Sequence, residues 1–175
     1  MTRRTALKCL HWAVLPLTLW FVLVQPRDVA LIGSWAVQLH SVLGLIFVTL
    51  ALIWWADYLR RGLASRPGPK LGPRARVVHQ ALHKTLVWGL FGVALSGFLL
   101  GVTASRQLWA GGIVPIGMPL SLPRANDWVG RVHAAEFYIL AAIVAFHAGF
   151  HIWRHVRLRD NALRIMLPRF FYRFL

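Results

Sequence analysis

Four long apolar runs, separated by segments rich in Arg, Pro and Gly, decide most of what this 175-residue chain can fold into. A helix that crosses a bilayer needs about 20 predominantly apolar residues. The runs at 9–24, 35–56, 82–102 and 132–153 reach or approach that length. The chain is 58% hydrophobic, only 14% charged, and has a mean hydropathy of +0.58, which is too oily for a soluble domain. The expected fold is therefore an all-α integral membrane four-helix bundle, one domain over 1–175. Nine Trp suit the headgroup belts on either side of a membrane. Pro16 falls inside the first run, where neighbouring membrane helices tolerate it.

The segments between the runs read differently from one another. Residues 25–32, with Pro26, Arg27 and Asp28, read as a short turn. Residues 57–78, with Arg66-Pro67-Gly68-Pro69-Lys70, read as a polar loop without helix. Residues 103–130 are apolar, but Gly112, Pro115, Gly117 and Pro119 break them, so they are expected to lie across one end of the bundle. Arg3, Arg4 and Lys8 before the first run imitate a secretory signal. That run ends in Val24-Gln25-Pro26-Arg27 rather than a small-residue cleavage site, so it reads as a retained first span.

Charge sets the topology. The net charge is +15, and sixteen of the 20 Lys and Arg residues fall in the N-terminus, the second loop with its helix-entry flank, and the tail. Arg27, Arg106, Arg124 and Arg131 are left for the opposite side. The asymmetry places both termini in the cytoplasm, with the basic residues contacting anionic lipid. No aromatic-studded basic segment occurs, which excludes a nucleic-acid binder. Cys9 is the sole cysteine, so neither an internal disulfide nor a Cys-x-x-Cys-His attachment site can form.

Within that topology the histidines fall at two depths. His11, early in the first span, lies near the cytoplasmic face; His40, early in the second, lies near the outer face. His133 and His147 sit near opposite ends of the fourth span. Their fourteen-residue separation is about 21 Å of helix and about 40° short of four turns, so they share one face. His11 thus pairs with His147, and His40 with His133. Imidazoles in a membrane interior call for partners. Two opposed imidazoles from two helices suit six-coordinate haem iron, which favours electron transfer over oxygen binding. The expected cofactors are two haem b groups, held noncovalently because no attachment motif exists. Gly44, one turn after His40, leaves room for a macrocycle, and Gly97 and Gly101 have the spacing that lets helices or a cofactor approach.

Several polar residues stay open at this point. His151 rivals His147 as a ligand, while His155 reads as solvated. His79 and His83 read as interfacial polar residues, with a propionate contact, a quinone site or replacement of an inner ligand as alternatives. Glu136 orients an imidazole, passes protons at a quinone pocket, or pairs with Arg131. A histidine-only zinc site needs three or four imidazoles at one depth, and the spacing implies none. Neither a Gly-rich phosphate loop nor a Ser or Cys nucleophile constellation is present.

Taken together, the residues resemble the bacterial cytochrome b561 family of four-helix, di-haem b membrane proteins. Leu10-His11-Trp12 resembles that family's first-helix motif, and His40 with Gly44 its second. His133 and His147 reproduce the fourth-helix spacing. The tail Arg159-Asp160-Asn161-Ala162-Leu163-Arg164-Ile165-Met166-Leu167-Pro168-Arg169 resembles the family's ending. The resemblance implies haem ligation by His11, His40, His133 and His147, a multi-pass place in the bacterial inner membrane, and exchange with ubiquinone. One family member oxidises superoxide and reduces ubiquinone. This chain departs from the family in having Ala134 directly after His133, with the acid at Glu136. The function expected is transmembrane electron transfer from superoxide, or from a periplasmic redox protein, to quinone. The alternative is a cytochrome b anchor subunit between quinol and a periplasmic oxidoreductase.

Overall fold

A computed structural model describes residues 2–24, 31–167 and 169–174. Arg27, Asp28, most of the expected turn at 25–32, and Pro168 of the tail motif lie outside the described residues. Four helices are long and apolar enough to cross a membrane: α1 (Arg3–Leu23), α2 (Ser34–Arg61), α3 (Pro73–Thr103) and α4 (Pro123–Leu158). They form the membrane four-helix bundle that the apolar runs demand. α3 packs along α4 and α2, and α1 packs along α2, while the contact between α1 and α4 is the sparsest of the ring. α2 and α4 therefore face each other across the diagonal.

Every helix is longer than its apolar run, because hydropathy marks the bilayer interior and misses helical turns beyond it. α1 starts at Arg3, where Thr2 Oγ1 accepts from the Thr5 amide. The expected loop at 57–78 is only 62–72: Arg60 and Arg61 close α2, and Arg74 and Arg76 lie in the opening turn of α3. Pro73 and Pro123 each stand in a first helical turn, where a missing N–H costs nothing. The segment expected to lie across the bundle end does so over 104–122, while 123–130 belong to α4. It folds into a small antiparallel hairpin, β1 (Leu108–Ala110) against β2 (Val114–Ile116). Gly111 and Gly112 both have positive φ, and the Ile113 amide donates to the Ala110 carbonyl across them. That backbone matches the twist of the flanking strands. Gly101 admits the hairpin: a Cβ there would stand 2.8 Å from the Ile116 carbonyl oxygen.

The other end of the bundle gathers the N-terminus, the 62–72 loop and the tail. Arg3 pairs with Asp57 at 2.9 Å and donates to the Gly62 carbonyl; Lys8 reaches the Leu167 carbonyl, and Lys70 the Arg159 carbonyl. Arg154, one of the sixteen basic residues counted on the side of the termini, is 2% exposed and bonds Asp160 through Nε (2.8 Å) and Nη2 (2.6 Å). Asp160 also accepts the Ala162 amide that opens α5 (Ala162–Met166). Arg159 and Asn161, either side of it, are left-handed. The Arg-Asp-Asn motif is thus a tight turn locked onto a buried guanidinium. A six-residue 3-10 helix (Arg169–Phe174) follows.

Candidate functional site

At the end that carries the termini, the sparse α1–α4 seam opens into a cavity of about 490 Å³. His11 of α1, His83 of α3 and His147 of α4 line it, beneath Arg3, Arg4 and Arg66. The Nδ1 atoms of His11 and His147 are buried and make no hydrogen bond among the described residues. Trp54 stands edge-on to His11 at 6.3 Å. His11 and His147, paired from spacing alone, thus share one cavity. His151 is not among its lining residues; it lies beyond His147, with ring centroids 4.5 Å apart.

At the hairpin end stand His40 of α2 and His133 of α4, on the two helices that face each other across the diagonal. Ser96 of α3 donates its hydroxyl proton to the Val93 carbonyl and lies 2.9 Å from His133 Nδ1. Its oxygen then accepts the Nδ1 proton, and His133 Nε2 keeps a free lone pair. His40 packs edge-on against Phe21 at 4.9 Å, and its buried Nδ1 has no partner among the described residues. The hairpin roofs this level, with Gly111 against Val42 and Gly112 beside Gln38. The glycines divide their labour. A Cβ at Gly97 would come within 3.2 Å of the His133 ring, whereas one at Gly44 would meet nothing within 4 Å.

Between the two levels each helix supplies packed apolar residues: Val14, Phe47, Ala51, Leu90, Val93, Phe137 and Leu140. Phe21 is edge-on to Phe47 at 5.8 Å and to Phe137 at 6.0 Å. Glu136 does not pair with Arg131, which lies over the Trp128 ring instead. It faces Gly92 in a groove of about 380 Å³ between α3 and α4, and its buried Oε2 is unpartnered among the described residues.

Two histidines are less exposed than expected. His79, read as an interfacial polar residue, is fully buried within the protein, 3.1 Å from Ser65 Oγ. With His83 and His151 it forms a group whose ring nitrogens lie within 4.8 Å of one another. This is the three-imidazole arrangement at one depth that linear spacing did not imply. His155 is not freely solvated, since its Nδ1 is buried. The signal available in sequence was a pair of i,i+4 steps, 79/83 and 147/151, at the same end of two successive spans.

Unpartnered imidazole nitrogens at two levels and a cavity between His11 and His147 define a helical membrane protein whose interior fits a planar iron cofactor at the terminal end. The chain matches the prokaryotic cytochrome b561 family over residues 3–169, and it belongs to that family. It is accordingly a multi-pass membrane protein of haem b electron transfer. No curated protein and no solved structure matches it.

Proposed function

We propose that this protein holds two haem b groups, one between His11 and His147 and one between His40 and His133, and passes electrons between an outer donor and membrane quinone. The observation that carries the reading is the cavity that His11 and His147 line together, with His133 turned by Ser96 so that its Nε2 is free. When bound, haem supplies one-electron redox chemistry that the polypeptide lacks. The chain's own residues hold and orient it. Arg3, Arg4 and Arg66 at the mouth of the 490 Å³ cavity match propionate charge. His147, rather than His151, is the inner ligand because it lines that cavity. Held by two imidazoles, a haem iron would have no open site, which would suit electron transfer through the packed core between the levels.

The most concrete donor is superoxide, with ubiquinone as acceptor. Two superoxide anions release one electron each and become dioxygen; the two electrons, with two protons, convert ubiquinone to ubiquinol. Exposed Arg106, Arg124 and Arg131 stand against Asp127 at the hairpin end, and their excess positive charge favours arrival of a small anion. The basic terminal end supports a cytoplasmic orientation for both termini in the bacterial inner membrane. Haem counting and superoxide pulses on the purified protein test the reading. Two haems per chain, reduced by superoxide and reoxidised by a soluble ubiquinone analogue, are expected. A single haem sinks the ligand assignment, and haems that superoxide leaves oxidised sink the choice of donor.

A further inference from the structure

We propose that His79, His83 and His151 form a binding site for a divalent transition-metal cation at the terminal end of the bundle, separate from the histidine pairs assigned to haem. The inference does not rest on the haem assignment. Helix packing builds the group: His79 and His83 lie one turn apart on α3, and His151 comes from α4. Ring centroids are 4.3 Å apart for His79 and His83, 5.5 Å for His83 and His151, and 5.8 Å for His79 and His151.

Protonation follows from the hydrogen bonds. His83 Nδ1 donates to the His79 carbonyl at 2.7 Å, which leaves Nε2 with its lone pair. His79 Nε2 meets Ser65 Oγ, while its Nδ1 is buried without a partner among the described residues. His151 Nε2 is also buried and unpartnered. A neutral imidazole has one donor and one acceptor, and a buried acceptor left unmet is costly. One cation satisfies all three at once. Tetrahedral zinc with Zn–N of about 2.0–2.1 Å needs nitrogens about 3.4 Å apart. One ring nitrogen from each histidine lies within 4.8 Å of the others, so coordination asks the ligand atoms to close by about 1.4 Å at most.

Ligand chemistry sets the class. Three neutral nitrogens with neither carboxylate nor thiolate suit a borderline cation such as Zn²⁺, Cu²⁺, Ni²⁺ or Fe²⁺ and reject Mg²⁺ and Ca²⁺. Three protein ligands leave a fourth position for water. The outer shell is also present. Ser65, on the 62–72 loop, fixes His79, and the His79 carbonyl fixes His83, as metal-bound imidazoles are usually held. The nearby Arg154 charge opposes a cation, but its two bonds to Asp160 offset it.

The test uses the full-length, haem-loaded protein, stripped with a chelator and titrated with Zn²⁺ alone, with zinc and haem counted on the same sample. One zinc per chain is expected, with haem content unchanged. His79→Gln and His151→Gln should lose it. Ser65→Ala should bind about tenfold more weakly, as an outer-shell change does, and His155→Gln should bind normally. Wild-type protein that takes up no zinc overturns the proposal. So do His79→Gln and His151→Gln proteins that bind zinc like the wild type, or a His79→Gln protein that loses haem. Should those variants fail to fold, X-ray absorption at the zinc edge decides on wild-type protein, and fewer than three imidazoles around the metal refutes the site.

Discussion

The two histidine levels present the same side-chain chemistry in opposite settings. The hairpin end holds one pair, His40 and His133, with a single orienting hydroxyl and a roof that touches backbone to glycine. The terminal end crowds His11, His79, His83, His147 and His151 under a loop and a tail, beside a buried ion pair. One level is specified by exclusion, since no third histidine stands at that end. The other is specified by position within a cluster, where neighbouring imidazoles are at hand. Redundancy at one end and singularity at the other should therefore appear as different responses to the same substitution.

The sharpest break of that contrast is ligand removal. His133→Ala is expected to abolish one haem outright, whereas His147→Ala should, in zinc-free protein, retain part of the other, because the His83 ring lies 4.8 Å away. Pyridine haemochrome counts compare the two, and equal losses would show that neighbouring imidazoles offer no rescue. Next comes Arg154→Met, which strands the Asp160 carboxylate in a buried site. It should cost about 3–5 kcal/mol, since breaking one side of a buried pair leaves an uncompensated charge. Thermal unfolding in detergent measures this, and a melting temperature within a degree of wild type would contradict it. Ser96→Ala releases the His133 ring and should weaken the hairpin-end haem about tenfold, with the terminal-end haem untouched; haem-transfer assays to apomyoglobin separate the two. The smallest effect belongs to Arg3→Gln. The Arg3–Asp57 pair is part-exposed, so its loss should cost below about 1 kcal/mol. A larger drop that salt does not reduce would mean that the Gly62 carbonyl contact matters more than the charge.

How far these settings were legible in sequence follows from what each depends on. The four helices follow from apolar length, and the expectation of His11 beside His147 from helical phase; the helices are present in the fold and those two histidines line one cavity. The helix ends escaped because Arg60, Arg61, Arg74 and Arg76 look like loop to a hydropathy reading, yet continue helices past the apolar layer. The hairpin was readable: Gly111-Gly112 between Leu108-Trp109-Ala110 and Val114-Pro115-Ile116 is a hairpin-turn signal, obscured by the weight given to membrane helices. Burial of His79 and Arg154 was not readable. It depends on the 62–72 loop folding back, so that Ser65 meets one and the Gly68 backbone lies against the other, contacts with no local trace.

The fourth long helix carries a histidine of each level, His133 near its beginning and His147 fourteen residues on. His11 and His40 are synthesised long before either partner exists. A nascent chain that has inserted three spans therefore offers only half of each pair. On the proposed ligand pairs, loading of cofactor would be a late event in biogenesis, coupled to arrival of the last span rather than to growth of the bundle. Translation arrested before Pro123 should yield membrane-inserted, colourless chains, and haem shortage should let complete apo-bundles accumulate rather than stall assembly midway.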